Sequence, residues 1–206
     1  RYPSASRRQT ESMNLILLTP EDFSQSNIAT LSGRRLQHVL EVHQAQVGQQ
    51  LRVGMLNGLM GNAEVVHLDK QSLQLRFELD QAPPAKLPLT LLLALPRPKM
   101  LKRIFQTVAT MGVERVVLMN SYRVEKSFWD SPFLQPDAIQ EQLILGLEQG
   151  KDTILPEIIL EKRFKPFVED RLISLAGDSL KLVAHPMAQQ SCPRDVQQAV
   201  TLAIGC

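Results

Sequence analysis

From Met13 to about residue 83 the apolar positions come in short runs and alternations of strand length. NLILL opens the region, and SLQLRFEL alternates strictly, with Leu73, Leu75, Phe77 and Leu79 on one face and Gln74, Arg76 and Glu78 on the other. One helix is expected early, in SGRRLQHVLEV, where Ser32 suits an N-cap and Leu36, Val39 and Leu40 share a face. QLRVGMLNGLMGNAEVVHL reads as two strands around Asn57-Gly58, the dipeptide whose left-handed preference suits a tight hairpin, with Gly61 marking a bulge. Several short strands with one helix predict a small β-barrel. The proline-rich DQAPPAKLP then breaks the pattern as a linker.

Beyond the linker the period changes. LTLLLAL is a continuous apolar run, as expected of a strand buried on both faces of a parallel sheet. The PRPK turn leads into a helix whose Met100, Leu101, Ile104, Phe105, Val108 and Met111 recur at helical spacing, with Gly112 as its C-terminal stop. Strand RVVLM, a long loop, a helix from about Pro136 to Gly150, strand EIIL, a short helix around FVEDRLIS, and strands LKLVAH and VTLAIG follow. Alternating strands and helices predict a parallel α/β domain, so the whole chain is expected to be α/β with a β-rich first part.

Composition narrows the function classes. The chain has 206 residues and is 44% hydrophobic, and its 23 Lys and Arg against 21 Asp and Glu leave no global basic field, so any polyanion site has to be local. Cys192 and Cys206 stand apart from each other and from any histidine pair, which predicts neither a zinc site nor a disulfide framework and suits a reducing cytoplasm. No apolar run is long enough for a membrane span, and RYPSASRRQTES lacks the apolar centre of a signal peptide. Met13 reads as a natural start, with residues 1–12 a disordered leader or tag.

In parallel α/β sheets ligands gather beyond the carboxyl ends of the strands. Arg97 and Lys99 follow the first such strand, and Lys99, Arg103, Gln106 and Thr110 form one stripe on the next helix. Arg123 and Lys126 follow the second strand, His185-Pro186 a later one, and Gly205 the last. Cations at the start of a helix oppose its dipole, so their clustering points to a bound polyanion. The plainer reading is a solvated helix face, which is what most cationic stripes are. His185 without a Ser, Cys or metal partner reads as a packing residue, His38 and His67 as structural, and Phe128-Trp129 as a hydrophobic lid over the long loop. No GxGxxG, Walker A or GxSxG motif is present.

The order of segments LPLTLLLALPRPKMLKRIFQTVATMGVERVVLMNSYRV, LEQGKDTILPEI, LKLVAHP and VTLAIG resembles the RsmE family of SPOUT methyltransferases from Met13 to Gly205. That resemblance implies methyl transfer from S-adenosylmethionine to N3 of a uridine in small-subunit (16S) ribosomal RNA. It also implies a PUA-like RNA-binding barrel over 13–83, a trefoil-knot SPOUT domain over 84–206, and a cytoplasmic homodimer with neither metal nor membrane. It assigns Lys99, Arg103, Arg123, Lys126, Arg34 and Arg35 to RNA, and His185, Pro186, Ile204 and Gly205 to the cofactor. Glu148 and Gln149 belong to its EQ-G segment, while no catalytic residue or proton acceptor is assigned. Thr107 and Thr110 replace a usual lysine and glutamate, Tyr122 replaces the acid of a Ser-Glu-Arg segment, Lys151 an arginine, and Glu41 a barrel arginine. LAIGC matches the beginning of an IGPEGG loop, so the knot segment, on the order of 40 residues, is expected to be missing from this chain. A non-catalytic RNA-binding or assembly factor on the same fold is the alternative, and a metabolic α/β enzyme with a small anionic substrate is a third reading.

Overall fold

A computed structural model describes residues 14–205; the expected leader, the start at Met13 and Cys206 lie outside the described residues. The chain divides between Ala82 and Pro83 into two compact units. The first holds strands β1 (Ile16–Leu18), β2 (Phe23–Gln25) and β3 (Ile28–Leu31), helix α1 (Gly33–His38), and β4 (Gln50–Met55), β5 (Met60–Leu68) and β6 (Leu73–Gln81). They form a mixed sheet in the order β1-β4-β5-β6-β3-β2, in which β1 joins β4 in parallel and the other pairs are antiparallel. Alternation in β6 has the expected consequence: Leu73 and Leu75 are fully buried, in one cluster with Leu18, Leu31, Val53, Val65 and the α1 residue Leu36. The short β2 and β3 carry too few residues to show a period, and sequence pattern did not mark them.

The hairpin at Asn57-Gly58 forms as expected, with Asn57 at a positive φ of 59° and the Gly58 N–H donating to the Met55 carbonyl. The register slips at Met60/Gly61, where a β-carbon on Gly61 would lie 1.8 Å from the Glu78 carbonyl oxygen, so only glycine lets β5 and β6 approach this closely. After β5, Asp69 organises the return turn: its carboxylate accepts from the Gln71 and Ser72 amides and from the His67 ring. The His67 hydrogen bond, then the two amides, hold the Asp69 carboxyl down at about 2, against an ordinary 3.8. The turn's stabilisation is therefore complete above pH 3.8 and is lost as pH falls from there through about 2. An NMR titration of the Asp69 side-chain carbon should give a midpoint near 2, with the Gln71 and Ser72 amides exchanging faster below it; a midpoint near 3.8 would rule this account out.

The second unit is a five-stranded parallel sheet of β7 (Leu87–Ala94), β8 (Val113–Met119), β9 (Glu157–Glu161), β10 (Leu180–Ala184) and β11 (Val200–Ile204), in the order β10-β11-β7-β8-β9. Helix α2 (Pro98–Thr110) links β7 to β8, and α3 (Pro136–Gly150) links β8 to β9. The short helices α4 (Phe164–Pro166) and α5 (Leu172–Ala176) lead from β9 to β10. Leu92, Val117 and Met119 pack on Phe167 and Leu172 of that connection, while Val116 and Leu118, on the other face by alternation, are equally buried. Strands β7, β8 and β9 run outward in one direction, and the chain then crosses so that β11 lies on the opposite side of β7. The topological switch point falls between β7 and β11.

α2 and α3 touch through small residues. A β-carbon on Gly146 would lie 2.3 Å from the Gln106 carbonyl oxygen and 2.7 Å from the Ala109 β-carbon, and one on Gly150 would lie 2.7 Å from the Thr110 carbonyl oxygen. The Thr110 hydroxyl donates to the Gly146 carbonyl at 3.0 Å, and the Gln106 amide to the buried Gln142 side chain at 2.7 Å. Gln106 and Thr110 are thus the seam between two helices. The stripe expected to run unbroken from Lys99 to Thr110 ends at Arg103.

Candidate functional site

Because the five strands are parallel, all their carboxyl ends lie along one edge, and the ladder fixes their order there. The Leu95 N–H donates to the Met119 carbonyl and the Asn120 N–H to the Glu161 carbonyl, so the residues just after β7, β8 and β9 are neighbours. Arg97 caps α2 and is followed by Pro98 at its first position, which sets the helix start; Lys99 comes next, with no acid in the first turn. Arg97, Lys99, Arg103, Arg123, Lys126 and Arg163 are all exposed. None of their side chains has a partner in a hydrogen bond or ion pair among the described residues.

Other cations in the neighbourhood are engaged. Lys102 sits 4.9 Å from the centre of the Phe133 ring and Lys162 5.9 Å from that of Trp129, within reach of cation–π attraction. Trp129 also donates from its indole nitrogen to the Asn120 side chain at 3.4 Å. Phe133 and half-buried Trp129 therefore tie the loop after β8 back to α2 and to the ends of β8 and β9. The expected lid is fastened by these polar contacts as well as by packing. Glu161, at the end of β9, pairs with Arg171.

At the other half of the edge the chemistry changes. His185-Pro186 follows β10, and Gly205 follows Ile204, the last residue of β11; none of the four is a lysine, arginine, aspartate or glutamate. Gly205 adopts φ +80°, a left-handed conformation that favours glycine, and its position faces the Ala94 β-carbon across the switch point. His185 is exposed, contrary to a packing role, and its Nδ1 accepts from the Met187 N–H at 3.1 Å. A cavity of about 700 Å³ runs along β10 from Lys181 to His185, with Leu182, Ala184 and Leu202 on one side and Ala188 to Pro193 on the other. It is open to solvent, and Lys181 is its one Lys, Arg, Asp or Glu side chain among the described residues.

The first unit gives less to a polyanion. Arg35 is committed to the fold: its guanidinium makes a two-pronged pair with Asp22, both contacts 2.6 Å, and donates to the Leu17 carbonyl. Burial alone would raise the Asp22 carboxyl, but the Arg35 hydrogen bond and the Thr19 amide outweigh it and hold it below its ordinary value. A groove of about 580 Å³ on β4, β5 and β6 carries Glu64, Glu78 and Asp80 with Arg76, an acidic balance that repels phosphate. Of the EQ-G residues, Glu148 is buried in α3 and Gln149 is exposed. Sequence reasoning named Arg97 among the strand-end cations but passed over Arg163; its place just after β9 is the signal that finds it. The described residues contain no group of three or more His, Cys, Asp or Glu side chains placed to hold a metal, and no helix is long and apolar enough to cross a membrane.

Comparison with known proteins agrees with this layout. Residues 83–206 match the RNA methyltransferase domain family. Ribosomal RNA small subunit methyltransferase E of Treponema pallidum is 31% identical over 170 residues, covering 81% of this chain; the chain spans 63% of that protein's length. Among solved structures, a probable rRNA-methyltransferase from Porphyromonas gingivalis superposes with a TM-score of 0.66 at 20% identity, over 93% of this chain and 79% of its own. Ribosomal RNA small subunit methyltransferase E from Neisseria gonorrhoeae, solved with S-adenosyl methionine, gives 0.67 at 16% identity, over 94% and 79%. The resemblance read from the segment order is borne out: the chain belongs to the RNA methyltransferase domain family, and the curated relatives it matches are small-subunit ribosomal RNA methyltransferases E.

Proposed function

We propose that this chain takes part in S-adenosylmethionine-dependent methylation of N3 of a uridine in small-subunit (16S) ribosomal RNA. One observation carries the reading: the carboxyl edge of the parallel sheet is divided at the switch point. Unpaired cations follow β7, β8 and β9, whereas the His185-Pro186 turn follows β10 and Gly205 follows β11. Neighbouring strands are about 5 Å apart, so RNA phosphates over the first group would lie within roughly 10–15 Å of a ligand at the second.

The residues at the β10–β11 half fit the cofactor. Leu182, Ala184 and Leu202 offer apolar walls to an adenosine, and the backbone at His185, Pro186, Ile204 and Gly205 offers hydrogen-bonding groups without side-chain bulk. When bound, S-adenosylmethionine supplies a methyl group on a sulfonium, an electrophile needing neither metal nor covalent enzyme intermediate. The protein's share is alignment. Lys99, Arg103, Arg123 and Lys126 hold the backbone of the RNA, and α2, fixed by Pro98 and by its seam with α3, sets where they stand. Cations around the acceptor also favour the deprotonated uridine, lowering the demand for a dedicated base. The resemblance extends the reading to a PUA-like barrel in the first unit, a knotted SPOUT-type second domain and a cytoplasmic homodimer.

Reversing Lys99 and Arg103 to Glu together should weaken RNA binding at least tenfold at moderate salt. It should also reduce the slope of log affinity against log salt by about 1.4, two phosphate contacts' worth on a single strand. Calorimetric titration with S-adenosylmethionine should show saturable binding that this pair of changes leaves in place. An unchanged salt slope would sink the phosphate assignment. RNA binding without cofactor uptake would favour the non-catalytic RNA-binding or assembly factor instead.

A further inference from the structure

Among the described residues Tyr122 is the most exposed of the large apolar and aromatic side chains, at 103% of its reference surface, against 81% for Met187 and 76% for Ile173. It is presented by a rigid mount. The Val124 N–H donates to the Ser121 carbonyl at 3.1 Å, closing a turn with Tyr122 and Arg123 at its tip. The turn begins at the end of β8, where Asn120 is held by its backbone to Glu161 and by its side chain to Trp129. A phenol ring projecting fully into water contributes nothing to the core. It has Arg123 beside it in the turn and Lys126 shortly after, and the neighbouring strand ends supply Arg97, Lys99 and Arg163.

We propose that Tyr122 is a stacking platform for an unpaired base of the RNA, held between the phosphate contacts of Arg123 and those of α2. This rests on the proposed RNA-binding role of the same edge and specifies what that edge recognises: a single-stranded, splayed-out nucleotide rather than a duplex. The chemistry is that of single-strand binding surfaces, where cations track the backbone and aromatic faces take successive bases without regard to their identity. A duplex offers no free base face to the ring, so discrimination between the two forms is the property Tyr122 supplies. Its phenolic hydroxyl is not required for this.

The test measures affinity of the full chain for an unstructured labelled 12-nucleotide RNA and for a blunt-ended two-strand RNA duplex of the same length, by fluorescence anisotropy over a range of salt. Tyr122→Ala should weaken single-strand binding by about tenfold. It should change duplex binding less than twofold and leave the salt slope as it was, because no phosphate contact is removed. Tyr122→Phe should stay within twofold of the parent. Tyr122→Ala binding the single strand as tightly as the parent, or Tyr122→Phe failing as badly as Tyr122→Ala, overturns the platform. So does a change in oligomeric state on analytical ultracentrifugation that accounts for the loss, since the ring would then serve contact between copies. If the parent binds neither RNA above the level of the Lys99→Glu, Arg103→Glu double variant, the RNA reading fails and the platform fails with it; only in the former cases does the platform fail alone. Equal urea midpoints for parent and variants keep folding out of the comparison.

Discussion

Gly146→Val should destabilise the second unit by about 4 kcal/mol, combining overpacking with a stranded buried amide. The first contribution follows from distance. A β-carbon at 2.3 Å from the Gln106 carbonyl oxygen meets backbone, which cannot swing aside as a side chain tip can, so α2 and α3 have to separate. Separation then breaks the bonds that bridge them: Thr110 hydroxyl to Gly146 carbonyl, and Gln106 to Gln142. Gln142 is only 7% exposed and has no water to turn to. Alanine at the same place would raise intrinsic helix propensity by about 1 kcal/mol, yet its β-carbon makes the same collision, so Gly146→Ala should still lose stability. Gly150→Ala, with its nearest contact at 2.7 Å, should lose less. Urea unfolding followed by Trp129, the single tryptophan and a member of this unit, measures all three. A neutral or stabilising Gly146→Ala would mean the helices yield readily and the seam is not what positions Lys99 and Arg103.

That seam shows how far the sequence could be read. α2 was legible in its bounds and its core: Leu101, Phe105 and Val108 are buried as their spacing requires, Pro98 starts the helix and Gly112 follows its last turn at φ +71°, while Met100 and Met111, placed on the same apolar face, are exposed. Spacing identifies a face but not what covers it. Gln106 and Thr110 share a stripe with Lys99 and Arg103, and only the arrival of α3, some forty residues later, separates seam from surface. The same limit applied to Arg35. Its charge made it an RNA candidate, and its partner Asp22 lies in a 3₁₀ turn, Pro20–Asp22, too short to show any period. The parallel pairing of β1 with β4 was equally invisible, because alternation gives a strand its faces but not its neighbours. At the strand ends, by contrast, sequence order alone was enough: once the sheet is parallel, every residue following a strand lies on one edge. That is why His185, Arg123 and Lys99 could be picked out before their surroundings were known.

Asp152→Asn should be nearly as damaging as Gly146→Val, at about 3–5 kcal/mol, because it strands a buried lysine. Lys86, just before β7, reaches Asp152 at 2.7 Å, with the two side chains 14% and 5% exposed. The other carboxylate oxygen accepts from the Thr153 and Ile154 amides, shaping the turn that leads α3 into β9 after Lys151 at φ 55°. Asparagine keeps that oxygen and the turn, so what is lost is the charge opposite Lys86, replaced by an amide donor facing an ammonium donor. Removing both charges tests the cause. Lys86→Met with Asp152→Asn leaves no ion in the site, and the double variant should recover most of the stability that Asp152→Asn loses alone. If instead the two losses simply add, the pair is not coupled and the damage comes from the turn. The pair joins the entry of β7 to the segment between α3 and β9, directly after the EQ-G residues. It lies at the amino ends of β7 and β9, opposite the edge that carries Arg97, Arg123 and Arg163, so its loss should lower the urea midpoint while leaving the RNA affinity of the folded chain largely in place.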